Sequence, residues 1–351
     1  MMKPEEIKNI RTWYWSGSLL VFLILMVGGI TRLTGSGLSM VEWKPIMGII
    51  PPVGEAQWMN AFEKYKQFPE YLQRNAGMSL SEFQAIFFWE YLHRLLGRVL
   101  GLVFILPFCY FLIKKQFNIQ QLKRACFLIA LGVLQGLMGW FMVKSGLADV
   151  PYVSHYRLAA HLLLAFLIFG VCVYFAIDLY DHSPSKEILS SELKVWLGVF
   201  IILLVIQVLW GAFTAGLKAG YIYNTFPKMA GSWVPAEIRL MEPAAINMLQ
   251  NPAAVQFFHR FIGTVLVLFG FSIWVRTITG AELSTTKNWA LALFIILLIQ
   301  YALGVFTLLF HVPVELATAH QAMALLLFGV SAGFYHHLQN GVISSTKNLN
   351  R

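Results

Sequence analysis

The chain is poor in charge. Of its 351 residues, 12% are Asp, Glu, Lys or Arg and 58% are hydrophobic, whereas a soluble domain carries about 25% charged residues. A water-soluble globular protein is excluded. Cysteine is also scarce. Cys109, Cys126 and Cys172 lie singly in apolar segments, with no CxxC and no loop pair, so neither a disulfide framework nor a structural zinc site is indicated. Acidic residues number 17 against 26 basic ones, for a net charge of +9. No basic run with interleaved polar residues accompanies that excess. It reads as a membrane-surface bias and excludes nucleic acid as a partner. No A-x-A-like site follows the first apolar run, although Lys3, Lys8 and Arg11 precede it. The run reads as a retained span and not as a cleaved signal. The Gly35-Ser36-Gly37 turn lacks a preceding strand and a following Gly-Lys-Ser/Thr, which excludes a phosphate loop.

What the chain has instead is long apolar runs. Eight segments of about 20 residues can each cross a bilayer, at roughly 14–33, 86–113, 125–143, 157–179, 194–214, 255–275, 289–310 and 316–337. The expected fold is an all-α polytopic membrane protein, with membrane lipid as its surroundings. The segments after spans 2, 4 and 6 are short, and the first holds Lys114, Lys115, Lys123 and Arg124. Those after spans 1 and 5 are long. The dense short loop and the basic N-terminal tail place both termini in the cytoplasm by the positive-inside rule. Within the first long loop, Trp58, Phe62, Tyr65, Phe68 and Tyr71 suggest an amphipathic helix at the membrane interface. Ser79 and Glu82 suggest a capping box opening the second span.

The two halves of the chain match span by span. His93-Arg94 and Gly97 correspond to His259-Arg260 and Gly263; Gln135 and Gly139 to Gln300 and Gly304; Ala160-His161 to Ala319-His320; Gly29 to Gly211; Pro45 to Pro227. Residues 1–185 and 186–351 therefore read as two four-helix units. Four spans separate equivalent helices, so the repeat is parallel, with a pseudo-two-fold axis along the membrane normal.

Four histidines then fall at one depth. Counted from the cytoplasmic ends of their spans, His93, His161, His259 and His320 stand roughly 24–30 Å above that face. Each half contributes two, from its second and fourth spans. Two facing imidazoles in a four-helix bundle are what an axial pair for a haem iron needs. Two per half fall short of a zinc site. His155, His182, His311, His336 and His337 have no repeat partners and read as solvated. Arg94, Arg98, Arg157 and Arg260 lie near the four, where guanidinium groups could pair with haem propionates or snorkel to headgroups.

The halves differ at one position. Glu90, one turn from His93, has Gln256 as its counterpart. A carboxylate inside a span costs roughly 2.5–3.5 kcal/mol on insertion scales and is usually functional. The asymmetry suits an enzyme, with a permanent cofactor in one half and a reacting molecule beside an acid/base group in the other. A two-haem bis-histidine cytochrome that only passes electrons, and a haem or lipid transporter, remain as rivals. So does a purely structural pairing of Glu90 with an arginine.

Residues 28–40 (GGITRLTGSGLSM), Trp43-Lys44-Pro45, Pro51-Pro52 and Glu90-Tyr91-Leu92-His93-Arg94 together resemble haem A synthase, over nearly the whole chain. The resemblance implies an eight-helix membrane enzyme that oxidises a methyl group of haem O to the formyl group of haem A for terminal oxidases. It further implies that haem b is ligated by His259 and His320, that His93 and His161 hold the haem O iron, and that Glu90 is the catalytic carboxylate. The chain lacks outer-loop cysteine pairs, as in the branch shared by proteobacteria and mitochondria. A bacterial inner membrane location, a haem O synthase as supplier and a separate electron-transfer partner are expected with it.

Overall fold

The structure is a computed structural model that describes residues 2–42, 47–147, 151–180, 188–340 and 342–344. Trp43-Lys44-Pro45, and with it the Pro45–Pro227 correspondence, lies outside the described residues, as does His182. Eleven α-helices follow in order: α1 (Pro4–Leu33), α2 (Glu55–Tyr65), α3 (Pro69–Gln73), α4 (Leu80–Ile113), α5 (Ile119–Gly146), α6 (His155–Asp178), α7 (Ser191–Gly216), α8 (Asn247–Gln250), α9 (Pro252–Thr279), α10 (Ser284–Leu309) and α11 (Val314–Asn340). Eight of them, α1, α4, α5, α6, α7, α9, α10 and α11, are long and apolar enough to cross a membrane. The protein is an integral membrane protein of the all-α class. Among the described residues, Ile188–Ser190 pairs in parallel with Val342–Ser344, and an isolated bridge joins Met229 and Ser232.

The helix starts follow local chemistry. The Ser79 side chain accepts from the Glu82 amide while the Glu82 carboxylate accepts from the Ser79 amide at 2.8 Å, the reciprocal box expected from sequence. Asn118 caps α5, and Asn251 caps α9 with Pro252 as first helical residue. Inside the spans, hydroxyls bond back along their own helix. Ser18 donates to Tyr14 O and Ser331 to Leu327 O within their own helices, and Thr31 lies within reach of both Val27 O and Trp89 O of α4.

Close packing divides the chain into two compact units, residues 19–168 and residues 1–18 with 169–351. In the second, α7, α9, α10 and α11 share a core of Leu197, Phe200, Leu266, Ile273, Leu293, Leu297 and Phe334. At the C-terminal ends of α6 and α11, His336 is buried and pairs with Asp178 at 2.9 Å, and His337 meets Thr286 at 2.9 Å. These two histidines are therefore anchored rather than solvated.

In the first unit, the aromatics of the segment between α1 and α4 pack onto protein. The segment breaks between α2 and α3 at Phe68-Pro69, and its aromatic face folds onto the start of α4. Phe83 is fully buried, 5.0 Å from the Phe62 ring and 5.1 Å from Tyr65, with Trp58 and Phe87 packed around it. The Tyr65 hydroxyl reaches Glu70 at 3.2 Å and Asn75 at 2.7 Å. Burial, reinforced by the Glu70 charge, pushes its phenol well above the ordinary range. Of the cysteines, only Cys172 is buried; Cys109 and Cys126 are exposed on their spans.

Phe83 is the keystone of this cap. Phe83→Ala is expected to cost about 3–5 kcal/mol of cap stability. Limited proteolysis in detergent should show faster cleavage between residues 55 and 75, with the span bundle still melting near the parental temperature.

Candidate functional site

The four histidines His93, His161, His259 and His320 share one packing device. Each imidazole lies against a glycine of a neighbouring helix. A methyl group built on Gly28 of α1 would stand 2.7 Å from Cε1 of His93 on α4; on Gly139 of α5, 3.2 Å from His161 on α6; on Gly211 of α7, 3.0 Å from His259 on α9; on Gly304 of α10, 2.8 Å from His320 on α11. At Gly28 and Gly304 a methyl group would come closer than carbon atoms do, so glycine is required for those rings to sit where they do; at Gly139 and Gly211 it would press the ring by a few tenths of an ångström. Gly28, and not the expected Gly29, is thus the counterpart of Gly211.

The rings are oriented as well as seated. Nδ1 of His320 donates to Gln300 O at 3.1 Å, which leaves Nε2 as the acceptor nitrogen. The backbone of Gln207 lies beside His259, and that of Ile24 beside His93, while Nδ1 of each of these two rings is buried without a hydrogen-bond partner. Gln135 Nε2 lies 3.4 Å from His161 Nε2 and 3.2 Å from its carbonyl oxygen, and Gln300 Nε2 lies 3.4 Å from His320 Nε2. The centroids of His259 and His320 are 6.4 Å apart with planes nearly perpendicular. Two imidazoles bound to one metal from opposite sides, with bonds of about 2 Å, place their centroids roughly 6 Å apart. The pair fits an axial set for haem iron. Buried atoms without a partner mark the same places: His161 Nδ1 and the side-chain oxygens of Gln135, Gln207 and Gln300. Among the described residues no three His, Cys, Asp or Glu side chains gather in metal-binding geometry.

The arginines are held by backbone. Arg94 donates to Met40 O at 2.8 Å and Glu42 O at 3.0 Å; Arg260 donates to Tyr223 O at 2.7 Å and Thr225 O at 2.8 Å. Each clamps the segment that leaves the preceding span of its own half, and the two clamps match residue for residue. Gly35 and Lys218 occupy the same place in these segments, both with left-handed backbone, at φ 68° and 54°. Arg157 donates to Phe141 O at 2.8 Å and lies over that ring, and Arg98 is half-buried one turn below Arg94.

Glu90 is buried at 3% exposure. Its Oε2 accepts from Ser39 Oγ and from the Met40 amide, both at 2.7 Å, and its Oε1 accepts from Arg94 at 2.6 Å. Gln256, equally buried, donates to Tyr223 O at 3.2 Å. Sequence reading located Glu90 but missed two further differences between the halves. Ser39 faces Ile222 across the repeat, and Gln207 faces Ile24. Both become visible once the clamp residues set the register.

Comparison with known proteins follows the same lines. The family model described as cytochrome oxidase assembly protein (COX15-CtaA) matches residues 11–332. A protein of Nitrosospira multiformis named "Heme A synthase" is 46% identical over 340 residues, covering 95% of this chain and 94% of its own. One of the same name from Nitrosomonas eutropha is 47% identical over 91% of this chain and 90% of its own. Another, from Wolbachia pipientis, is 41% identical over 97% and 95%.

The glycine seats can be tested directly. Gly304→Ala forces the His320 ring to move, at a cost of about 1–3 kcal/mol. Haem retained per protein after size-exclusion chromatography, read as pyridine haemochrome, is expected to fall. Gly132→Ala, where an added methyl meets nothing within 4 Å, should retain the parental amount.

Proposed function

The chain belongs to the haem A synthase family, and from that premise we propose that it oxidises a methyl group of haem O to the formyl group of haem A. In this reading His259 and His320 hold haem b as a resident cofactor, which supplies one-electron redox chemistry when bound. His93 and His161 hold the iron of the substrate, haem O. Glu90 handles protons beside the reacting methyl, whose oxidation to formyl removes four electrons. Arg94 and Arg260 fix the outer segments over the two sites, and with Arg98 and Arg157 they supply the positive charge that suits propionates. Residues 1–185 would form the substrate half and 186–351 the cofactor half. The setting is a bacterial inner membrane with both termini cytoplasmic, a haem O synthase supplying substrate and a separate protein exchanging electrons.

The observation that carries this reading is how the two halves brace the same segment. Arg260 and Gln256 hold the Tyr223–Thr225 carbonyls without any carboxylate. Bracing alone therefore does not require Glu90. Its carboxylate, buried at a cost that an amide would avoid, is what an acid/base role adds.

Glu90→Gln keeps shape and reach while removing proton transfer, which typically contributes 10²–10⁴-fold. The expected protein inserts, keeps the haem of its C-terminal half with a parental spectrum, and yields little haem A on extraction, with haem O or a partly oxidised haem accumulating. Near-parental haem A would remove Glu90 from the mechanism. In the same assay His259→Ala should lose the stable haem while His93→Ala keeps it and loses turnover; equal loss in both would overturn the division of labour.

Orientation has its own measurement. Cysteines placed at Lys66 and Lys228 are expected to react with an impermeant thiol reagent in intact cells or spheroplasts. Labelling that appears only after lysis would reverse the topology.

A further inference from the structure

We infer that Ser39 is a positioning residue that sets the Glu90 carboxylate for the reaction, an assignment that rests on the role of Glu90 given above. The turn that follows α1 is built to deliver this hydroxyl. Thr31 Oγ1 lies 3.1 Å from Trp89 O on α4, which ties the end of α1 to the turn of α4 that carries Glu90. Gly35 turns the chain in left-handed conformation, and the Ser36 amide returns to Thr31 O at 2.8 Å. Thr34 and Ser36 join their hydroxyls at 2.6 Å. Leu38, 4% exposed, is seated over Gly146 at the end of α5, where a methyl group would meet it at 2.8 Å. The next two residues then reach Glu90 together.

Ser39 is 2% exposed. Its Oγ stands 2.7 Å from Glu90 Oε2 and 2.9 Å from Ser36 O. It has one proton, and the carboxylate is the nearer acceptor. With the Met40 amide on the same oxygen and Arg94 on the other, three donors from two directions hold one rotamer of Glu90. Without the hydroxyl, Oε2 keeps one donor and Arg94 can draw the group aside. At the corresponding position of the other half stands Ile222, which is 47% exposed, and the counterpart of Glu90 there is Gln256. The buried hydroxyl occurs where the carboxylate occurs.

The experiment compares haem A formation from added haem O by purified Ser39→Ala, Ser39→Thr, Glu90→Gln and the Ser39→Ala/Glu90→Gln double variant, with the optical spectrum of the resident haem as the readout of folding. A hydrogen bond to a carboxylate is worth enough to change a rate about 10- to 100-fold. Ser39→Ala should lower kcat by that factor with KM within about twofold, and Ser39→Thr, which keeps the hydroxyl, should recover most of it. In the Glu90→Gln background, Ser39→Ala should change the residual rate by less than about twofold, since the hydroxyl acts through the carboxylate. Parental kcat in Ser39→Ala with Glu90→Gln inactive overturns the assignment of Ser39 alone. Parental kcat in Glu90→Gln removes the premise itself. Independent, multiplying losses, or loss of the resident haem spectrum in Ser39→Ala and Ser39→Thr alike, assign the serine to folding and overturn the inference.

Discussion

The arrangement depends on the contact between an imidazole and a helix that presents no side chain to it. In a bilayer, helices gain little from burying apolar surface against one another, because lipid is as apolar as leucine; close approach and van der Waals fit carry the packing. A histidine at such a contact would hold its neighbour away unless that neighbour gave up its Cβ. Gly28, Gly139, Gly211 and Gly304 do so, each at a separation where a methyl group would overlap the ring or press it. The glycine fixes where the ring stands. The carbonyl of Gln300, for His320, fixes how it turns and which nitrogen is left for a metal. Neither element suffices alone. A seated ring with a free tautomer, or an oriented ring free to swing, would not present a paired set to one iron.

On that shared scaffold the halves are furnished differently. The clamp arginines, the left-handed residue of the turn and the glycine seats are common to both. The differences that bear on the site lie in the immediate surroundings of the histidines. Glu90 and Ser39 stand in one half where Gln256 and Ile222 stand in the other. Gln207, which donates to His259 O at 3.0 Å, stands where the N-terminal half has Ile24. The C-terminal half thus adds a neutral amide beside its histidine, and Thr264 and Tyr301 close together at 2.9 Å below it. The N-terminal half adds a carboxylate and a hydroxyl. A bound cofactor is served by neutral, fully packed surroundings. A molecule that arrives, reacts and leaves requires a group that can exchange protons.

Much of this was legible in the chain because the physics involved is local or periodic. Apolar runs of span length, a capping box and the repeat of His-Arg-x-x-Gly are read within a few residues, and they located eight helices, four histidines and Glu90. Failures occurred where helical phase or distant partners decide. The sequence match pairs Gly29 with Gly211, yet one residue turns a helix face by about 100°, and only the contact of Gly28 with His93 settles the register. The aromatics from Trp58 to Tyr71 have the spacing of an interfacial helix. That spacing cannot tell lipid from the ring of Phe83, and Pro69 had already broken the helix. His336 looked solvated because its partner Asp178 is 158 residues away. Ser39 was visible as part of a motif, but its meaning required the register set by Arg94 and Arg260.

The last step concerns why an ionisable group persists where an amide packs as well. A carboxylate in a span carries an insertion cost of roughly 2.5–3.5 kcal/mol, and three hydrogen bonds at 2.6–2.7 Å offset it. Offsetting a cost explains how Glu90 is tolerated and not why it is there. The C-terminal half shows that the same fold closes over the same clamp with Gln256, which needs no such compensation. Ser39 and the Met40 amide are therefore best understood as structure that keeps a carboxylate in place, and in the proposed role of Glu90 the property used is the one the amide lacks, the ability to take and release a proton.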